Sequence, residues 1–143
     1  EVTTQGVSVG LNYYIGKYFA FTGNYSWNKL NKKGTDDPLI PAFNTPENKY
    51  NIGFNGRDIK GVGFNINYKW VQGFKYEGSP QFTGEIPSYD MVDAQVNYHL
   101  KDAGTTFKLG AMNLFNNKHY EIYGGPKVGR MVYFSILFEV EKL

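Results

Sequence analysis

The chain contains no cysteine, so neither a disulfide framework nor a thiolate metal site is open to it. No stretch approaches the roughly 18 consecutive apolar residues of a membrane-spanning helix, and mean hydropathy is −0.45. No segment shows a good helical period. The net charge of +2 is small and scattered, which argues against a nucleic-acid partner. No charged n-region followed by an apolar h-region is visible, so no signal peptide is read. These absences do not exclude a membrane. The strands of a transmembrane barrel alternate, so their mean hydropathy stays low and each segment signals weakly.

What the chain does hold is aromatic residues and glycine. The 12 Tyr, 11 Phe and 17 Gly suit strands and turns and argue against helix. A hydrophobic share of 41% is too high for a disordered chain. The C-terminal stretch GRMVYFSILFEV sets the pattern. Val132, Phe134, Ile136, Phe138 and Val140 fall on one face of an extended strand and are all apolar; Met131, Tyr133, Ser135, Leu137 and Glu139 fall on the other and are mixed. The alternation recurs in VSVGLNYYI, YFAFTGNYSW, KYNIGFN, VGFNINYKW, MVDAQVNY and TFKLGAMN. Seven half-apolar strands are expected.

The connections alternate in length. Residues 14–18, 56–61 and 99–105 are short turns, whereas 29–46, 72–88 and 115–128 are long loops. A soluble meander has no reason to put every long loop at one end. Outer-membrane barrels do, with short periplasmic turns and longer extracellular loops. Strands of about 10 residues match the 9–11 that cross a bilayer at a tilt. The expected fold class is therefore all-β, made of antiparallel transmembrane β-barrel strands with apolar residues toward lipid and Asn, Lys, Gln, Asp, Ser and Gly toward a wet lumen. Trp27, Trp70, Tyr13 and Tyr98 fit interfacial girdles, and Phe134 and Phe138 fit the lipid-facing surface. A soluble β-sandwich could use the same residues as a core, but must explain strand length and loop alternation separately. If the long loops are extracellular, the last strand runs inward and the C-terminus is periplasmic. The first strand of an odd set then also begins outside. Single-chain bacterial barrels have even strand numbers, and an open sheet has edges that cannot face lipid. Parity thus predicts the end of a larger barrel.

The stretch GAMNLFNNKHYEIYGGPKVGRMVYFSILFEV resembles the C-terminal end of TonB-dependent outer-membrane receptors. The matching positions are Asn113, Leu114, Phe115, Asn117, Lys118, Tyr120, Gly125, Pro126, Gly129 and Arg130. The stretches NKYNIGFNGRDIKGVGFNINYKWVQGF and GEIPSYDMVDAQVNYHL are similar to receptors of Bacteroidetes type. The resemblance implies a 22-stranded barrel with an N-terminal plug. Such a receptor imports an iron–siderophore complex, cobalamin or a glycan, driven by the TonB complex through a TonB box. This chain would supply about the last seven strands, with the plug and TonB box absent from it. Implied partners are outer-membrane lipid, the remaining strands and plug on the same or another chain, the TonB complex through that plug, the outer-membrane assembly machinery and a surface lipoprotein lid. Family members often end on an aromatic residue. Here Val140 stands in that place, followed by Glu141, Lys142 and Leu143.

No catalytic constellation is read, and no cofactor is implied. On this topology His99 and His119 lie at opposite ends of the strands and cannot share a metal or a nucleophile; both are expected to be exposed. Asp36 and Asp37 lack the spacing of a calcium loop and read as a solvated tip. GRDIKGVGFN is a turn with no phosphate cradle, and no Ser/His pair suggests a phospholipase. Binding is the better reading. Lys75, Tyr76 and Phe82 lie in the second long loop, and His119, Tyr120, Tyr123 and Lys127 in the third. Arg130 opens the last strand near the rim. Aromatic rings suit sugars or catechols, and Lys or Arg an anionic chelate. The same residues could instead pack the loops together or form the girdle. A non-transporting barrel, an anchor or scaffold in a surface complex, would need no different sequence, because fold does not fix function.

Overall fold

The computed structural model describes residues 2–32, 44–79 and 81–139. Asp36, Asp37, Val140, Glu141, Lys142 and Leu143 lie outside the described residues. The strands are β1 (Val2–Ile15), β2 (Phe19–Lys32), β3 (Asn48–Ile59), β4 (Val62–Val71), β5 (Phe74–Ser79), β6 (Phe82–Ile86), β7 (Tyr89–Leu100), β8 (Thr105–Met112) and β9 (Met131–Phe138). Seven of them form one sheet in the order β1-β2-β3-β4-β7-β8-β9, and β5 pairs with β6 alone. Every neighbouring pair is antiparallel.

Register carries the alternation of each strand across the whole sheet. Tyr13, Phe21, Phe54, Ile66, Ala94, Ala111 and Val132 are cross-strand partners in one unbroken row. The next row is Tyr14, Ala20, Asn55, Asn65, Gln95, Gly110 and Tyr133. Successive side chains point to opposite faces, so one face is apolar along all seven strands and the other is dominated by small and polar groups. A slip of one residue in any strand would exchange its two faces. On the polar face, Asn51 Nδ2 donates to Asn24 Oδ1 at 2.8 Å and Asn65 Nδ2 to Asn55 Oδ1. Tyr133 lies across Gly110 and donates from its hydroxyl to Gln95 Oε1 at 2.8 Å. A Cβ on Gly110 would stand 2.4 Å from that ring; only glycine lets the tyrosine span two strands. On the apolar face, Tyr50 stacks on Trp70 with ring centroids 5.4 Å apart, and Phe19 on Phe54 at 5.7 Å.

The apolar face is not a core. Buried hydrophobic residues among those described are Ala20, Val71 and Ile86, while Leu11, Ile66, Leu109, Phe134 and Phe138 are exposed. No second sheet covers that face within the described residues, so the sandwich expectation does not hold: the apolar side chains share a surface and meet no opposing layer.

All three short connections lie at one end of the sheet, where β1 meets β2, β3 meets β4 and β7 meets β8. Ile59 pairs with Val62 across Lys60 and Gly61, whose φ values of 54° and 84° make the two-residue turn that matches strand twist. The β7–β8 turn is a single 3₁₀ turn, Lys101–Ala103, closed by Gly104 at φ 53°. The opposite end carries the three long connections. The second of these is not the plain loop expected over 72–88. It folds into the β5–β6 hairpin, because Phe74 and Tyr76 alternate with polar residues on one arm and Phe82, Gly84 and Ile86 on the other.

Candidate functional site at the loop end

The third long connection, 113–130, is held at its stem by asparagines. Asn113 leaves β8 with φ 51°, a left-handed conformation that asparagine tolerates better than most residues. Its side chain, in a residue 2% exposed, brackets Asn117: Nδ2 donates to Asn117 O at 2.9 Å, and Asn117 N–H donates to Asn113 Oδ1 at 2.9 Å. The Asn113 N–H donates to Asp93 Oδ1 at 2.8 Å, and Asn117 Nδ2 donates to Asp90 O at 2.8 Å. Leu114 N–H reaches Val92 O at 2.7 Å. Asn116 Oδ1 accepts from Arg130 N–H at 3.0 Å and so closes the two ends of the loop. The Asn-Leu-Phe-Asn-Asn stretch is thus a clasp fixing the loop to β7. Phe115, which makes none of these hydrogen bonds, is 74% exposed.

His119 departs from expectation. It is 6% exposed, not a surface histidine. Its ring stacks on Tyr89 with centroids 4.0 Å apart and 16° between planes. Nδ1 lies 2.9 Å from Asn117 O, Nε2 lies 3.7 Å from Glu121 Oε1, and the backbone bridges to Val128. By strand parity Tyr89 belongs to the polar face, so the loop leans over that side. His99, at the other end of the sheet, is half-buried with Nδ1 2.9 Å from Thr106 Oγ1. The two histidines are separated as expected.

The hairpin and the third loop meet through rings seated on glycines. A Cβ on Gly84 would stand 1.9 Å from the Tyr123 ring, and one on Gly124, at φ 75°, 2.4 Å from Phe82. Phe82 and Tyr123 pack edge to face at 6.5 Å. Beside them a cleft of about 500 Å³ is lined by Phe82, Glu85, Ile86, Pro87, Tyr120 and Tyr123, with Gly125 at its edge. Pro126 is exposed and Gly129 half-buried. Lys127 Nζ lies 5.3 Å over the Tyr120 ring. Lys75 pairs with Glu77 Oε1 at 2.7 Å; the hydrogen bond and the charge of Glu77 hold its ammonium above the ordinary lysine range. Tyr76 stands beside Gly78 in a shallower extension of the cleft that also reaches Phe82 and Tyr123. Phe82, Tyr120 and Tyr123 are therefore brought together, with Lys127 stacked on one of the rings. Arg130 is placed elsewhere: it has the parity of Val132 and Phe134 and lines an apolar-face groove with Leu114 and Val132. Sequence reasoning missed Glu85, Tyr89 and the clasp acids Asp90 and Asp93. Only the hairpin alternation around Glu85 left a legible signal.

Among the described residues no helix is long and apolar enough to cross a membrane, which says nothing about crossing by strands. No three His, Asp or Glu side chains among them group to hold a metal. An antiparallel meander with one apolar face, one polar face and all long loops at one end is wall from a transmembrane β-barrel. The chain belongs to the TonB-dependent receptor family: the profile described as "TonB dependent receptor-like, beta-barrel" matches residues 1–114. The barrels of this family reside in the Gram-negative outer membrane and serve transport receptors, not enzymes. No match is found among curated proteins. In fold, the chain is similar to the siderophore receptor PiuA from Acinetobacter baumannii, with a TM-score of 0.71 at 17% identity over 94% of this chain and 21% of that one. It is also similar to P. aeruginosa FpvA, solved bound to heterologous pyoverdines, with a TM-score of 0.68 at 13% identity over 94% of this chain and 19% of that one. FpvAI in complex with pyocin S2 gives 0.69 at 12% identity, with the same two coverages. The chain thus spans about a fifth of the length of these receptors.

Proposed function

We propose that this chain is the C-terminal wall of a TonB-dependent receptor that imports a scarce nutrient across the outer membrane, with the plug and TonB box supplied outside residues 1–143. The observation that carries this reading is the aromatic cleft between hairpin and third loop, set on the end of a sheet whose two faces suit lipid and water. The apolar face meets the hydrocarbon. Trp27, Tyr50 and Trp70 lie toward the loop end of that face and Tyr98 toward the turn end, where the aromatic girdles of such a barrel run. The loop end faces outward and the C-terminus lies on the periplasmic side, because long loops are extracellular in such barrels. TonB acts through the plug, and a surface lipoprotein over the loops and the outer-membrane assembly machinery complete the partners.

The cleft favours a ligand with flat rings. Phe82, Tyr120 and Tyr123 offer ring faces and edges, and two ring hydroxyls can fix orientation. Lys127, over the Tyr120 ring, supplies positive charge beside it, whereas the charge of Lys75 is met by Glu77. A ferric siderophore fits this set, and a glycan or cobalamin would use the rings alone. The test is uptake by cells carrying the parent receptor with Phe82→Ala and Tyr123→Ala. Labelled ferric catecholate, cobalamin and an oligosaccharide are supplied with and without functional TonB. The expected result is TonB-dependent uptake of one of the three, reduced about tenfold or more in the double variant. Uptake of that ligand that ignores both TonB and the variants refutes the proposal.

A further inference from the structure

The β5–β6 hairpin carries one wall of the aromatic cleft, but its two strands pair with each other alone. A two-stranded hairpin is marginal in water by itself, so its position depends on what else holds it. The chain entering β3 runs along its outer edge. At the stem, Gln72 N–H donates to Asn48 O at 3.0 Å and Asn48 Nδ2 donates to Gln72 Oε1 at 2.5 Å. Toward the tip, Asn44 Nδ2 donates to Glu77 O at 3.0 Å and Glu77 N–H donates to Asn44 Oδ1 at 2.8 Å. One side-chain amide thus satisfies both backbone groups of Glu77, as a paired strand residue would. Asn44 has φ 46°, and it repeats the device that Asn113, at φ 51°, uses on the backbone of Asn117. The segment 44–48 is itself rooted on the barrel wall: Asn28 N–H donates to Glu47 O at 2.8 Å, and Trp27 Nε1 donates to Glu47 Oε1 at 3.3 Å.

The tie lies one residue pair from the cleft. Glu77 is the cross-strand partner of Thr83, the neighbour of Phe82. Phe82 sits on Gly124 and meets Tyr123 edge to face, and the Tyr123 ring covers Gly84. The opposite wall, in the third loop, is fixed to β7 by Asn113 and Asn117. The cleft therefore stands between two walls with separate anchors, and both anchors set the contact between Phe82 and Tyr123.

We infer that Asn44 is a positioning residue for the cleft: by tying the hairpin to the β2–β3 wall it holds Phe82 against Tyr123 and so sets the affinity for ligand. The inference rests on the reading that the cleft is the ligand site. The full-length receptor in detergent micelles is compared with Asn44→Gly, which tolerates the left-handed backbone and loses the tie. Hydrogen exchange is followed by mass spectrometry in peptides covering 74–79 and 120–126, and binding by titration with a ferric catecholate. Exchange in 74–79 rises in the variant in any case, because Glu77 N–H has lost its acceptor. The deciding peptide is 120–126, on the far side of the cleft, where Gly125 N–H donates to Ile122 O at 3.1 Å. Its exchange should quicken about fivefold, and the chelate should bind about fivefold more weakly. In a Phe82→Ala background Asn44→Gly should weaken binding no further, since Asn44 acts through that ring. Binding as tight as in the wild type overturns the inference, as does unaltered exchange in 120–126. An undiminished fivefold loss in the Phe82→Ala background overturns it too, because Asn44 then reaches the ligand by another route. A wild type that leaves ferric catecholate unbound, while 120–126 responds to Asn44→Gly, overturns the ferric-chelate reading of the cleft and supports the tie.

Discussion

Ile66 and Asn65 are neighbours in β4 with opposite fates. Ile66 lies in the apolar row and is 47% exposed; Asn65 lies in the polar row and donates to Asn55. Both sit near the middle of β4, Val62–Val71, so both are near mid-depth if the strand crosses a bilayer. A lysine on the lipid face at the midplane costs about 2–4 kcal/mol. The loss of the Ile66 side chain adds little, because that side chain meets lipid and not a packed core. Asn65→Lys removes one amide hydrogen bond, about 1 kcal/mol, and places its ammonium in water. Ile66→Lys should therefore cost about 1–3 kcal/mol more than Asn65→Lys, a ratio of about 5 to 150 in the folding equilibrium constant. The assay is equilibrium folding of the full-length receptor into phosphatidylcholine vesicles against guanidinium chloride, followed by tryptophan fluorescence. Equal costs would refute the assignment of faces. A larger cost for Asn65→Lys would reverse it.

The clasp gives a second expectation. Asn113→Ala loses two hydrogen bonds and must hold φ 51° without asparagine's tolerance, so exchange at the Leu114 amide should speed by about 30-fold or more, equivalent to about 2 kcal/mol. Asn113→Gly should recover part of this, read in the same hydrogen-exchange experiment. Gly84→Ala should expel Tyr123 from its seat between hairpin and loop at a cost of about 1–3 kcal/mol, visible as protease sensitivity near Tyr123 with the sheet intact. Gly61→Ala adds a Cβ 2.9 Å from His99 O at φ 84°; it should slow folding into vesicles, whereas Lys60→Gly, which relieves φ 54°, should speed it. His119→Leu keeps a side chain against Tyr89 but loses the contact of Nδ1 with Asn117 O, so loop exchange should rise while barrel stability stays within about 1 kcal/mol.

How much of this was legible follows from what each feature depends on. The seven main strands and the ends at which their connections fall could be read because period-2 alternation is a local property. It survives whether the apolar face meets a core or lipid, and loop lengths are visible in the chain directly. The clasp residues could be named from family resemblance, but their work could not: the partners of Asn113 and Asn117 include Asp90 and Asp93, some 20 or more positions earlier, and no local pattern ties them. His119 looked like a loop histidine because burial there comes from one long-range stack on Tyr89. Arg130 shows the limit most clearly. Its parity with Val132 and Phe134 was in the sequence from the start and pointed to the apolar face. A cation next to a ligand-binding rim invites the opposite assignment, because charge suggests chemistry and parity only suggests direction. Direction is fixed here by an unbroken register with Met131 opposite Met112. Where the backbone register is that regular, the side on which a residue stands constrains its role before its charge does.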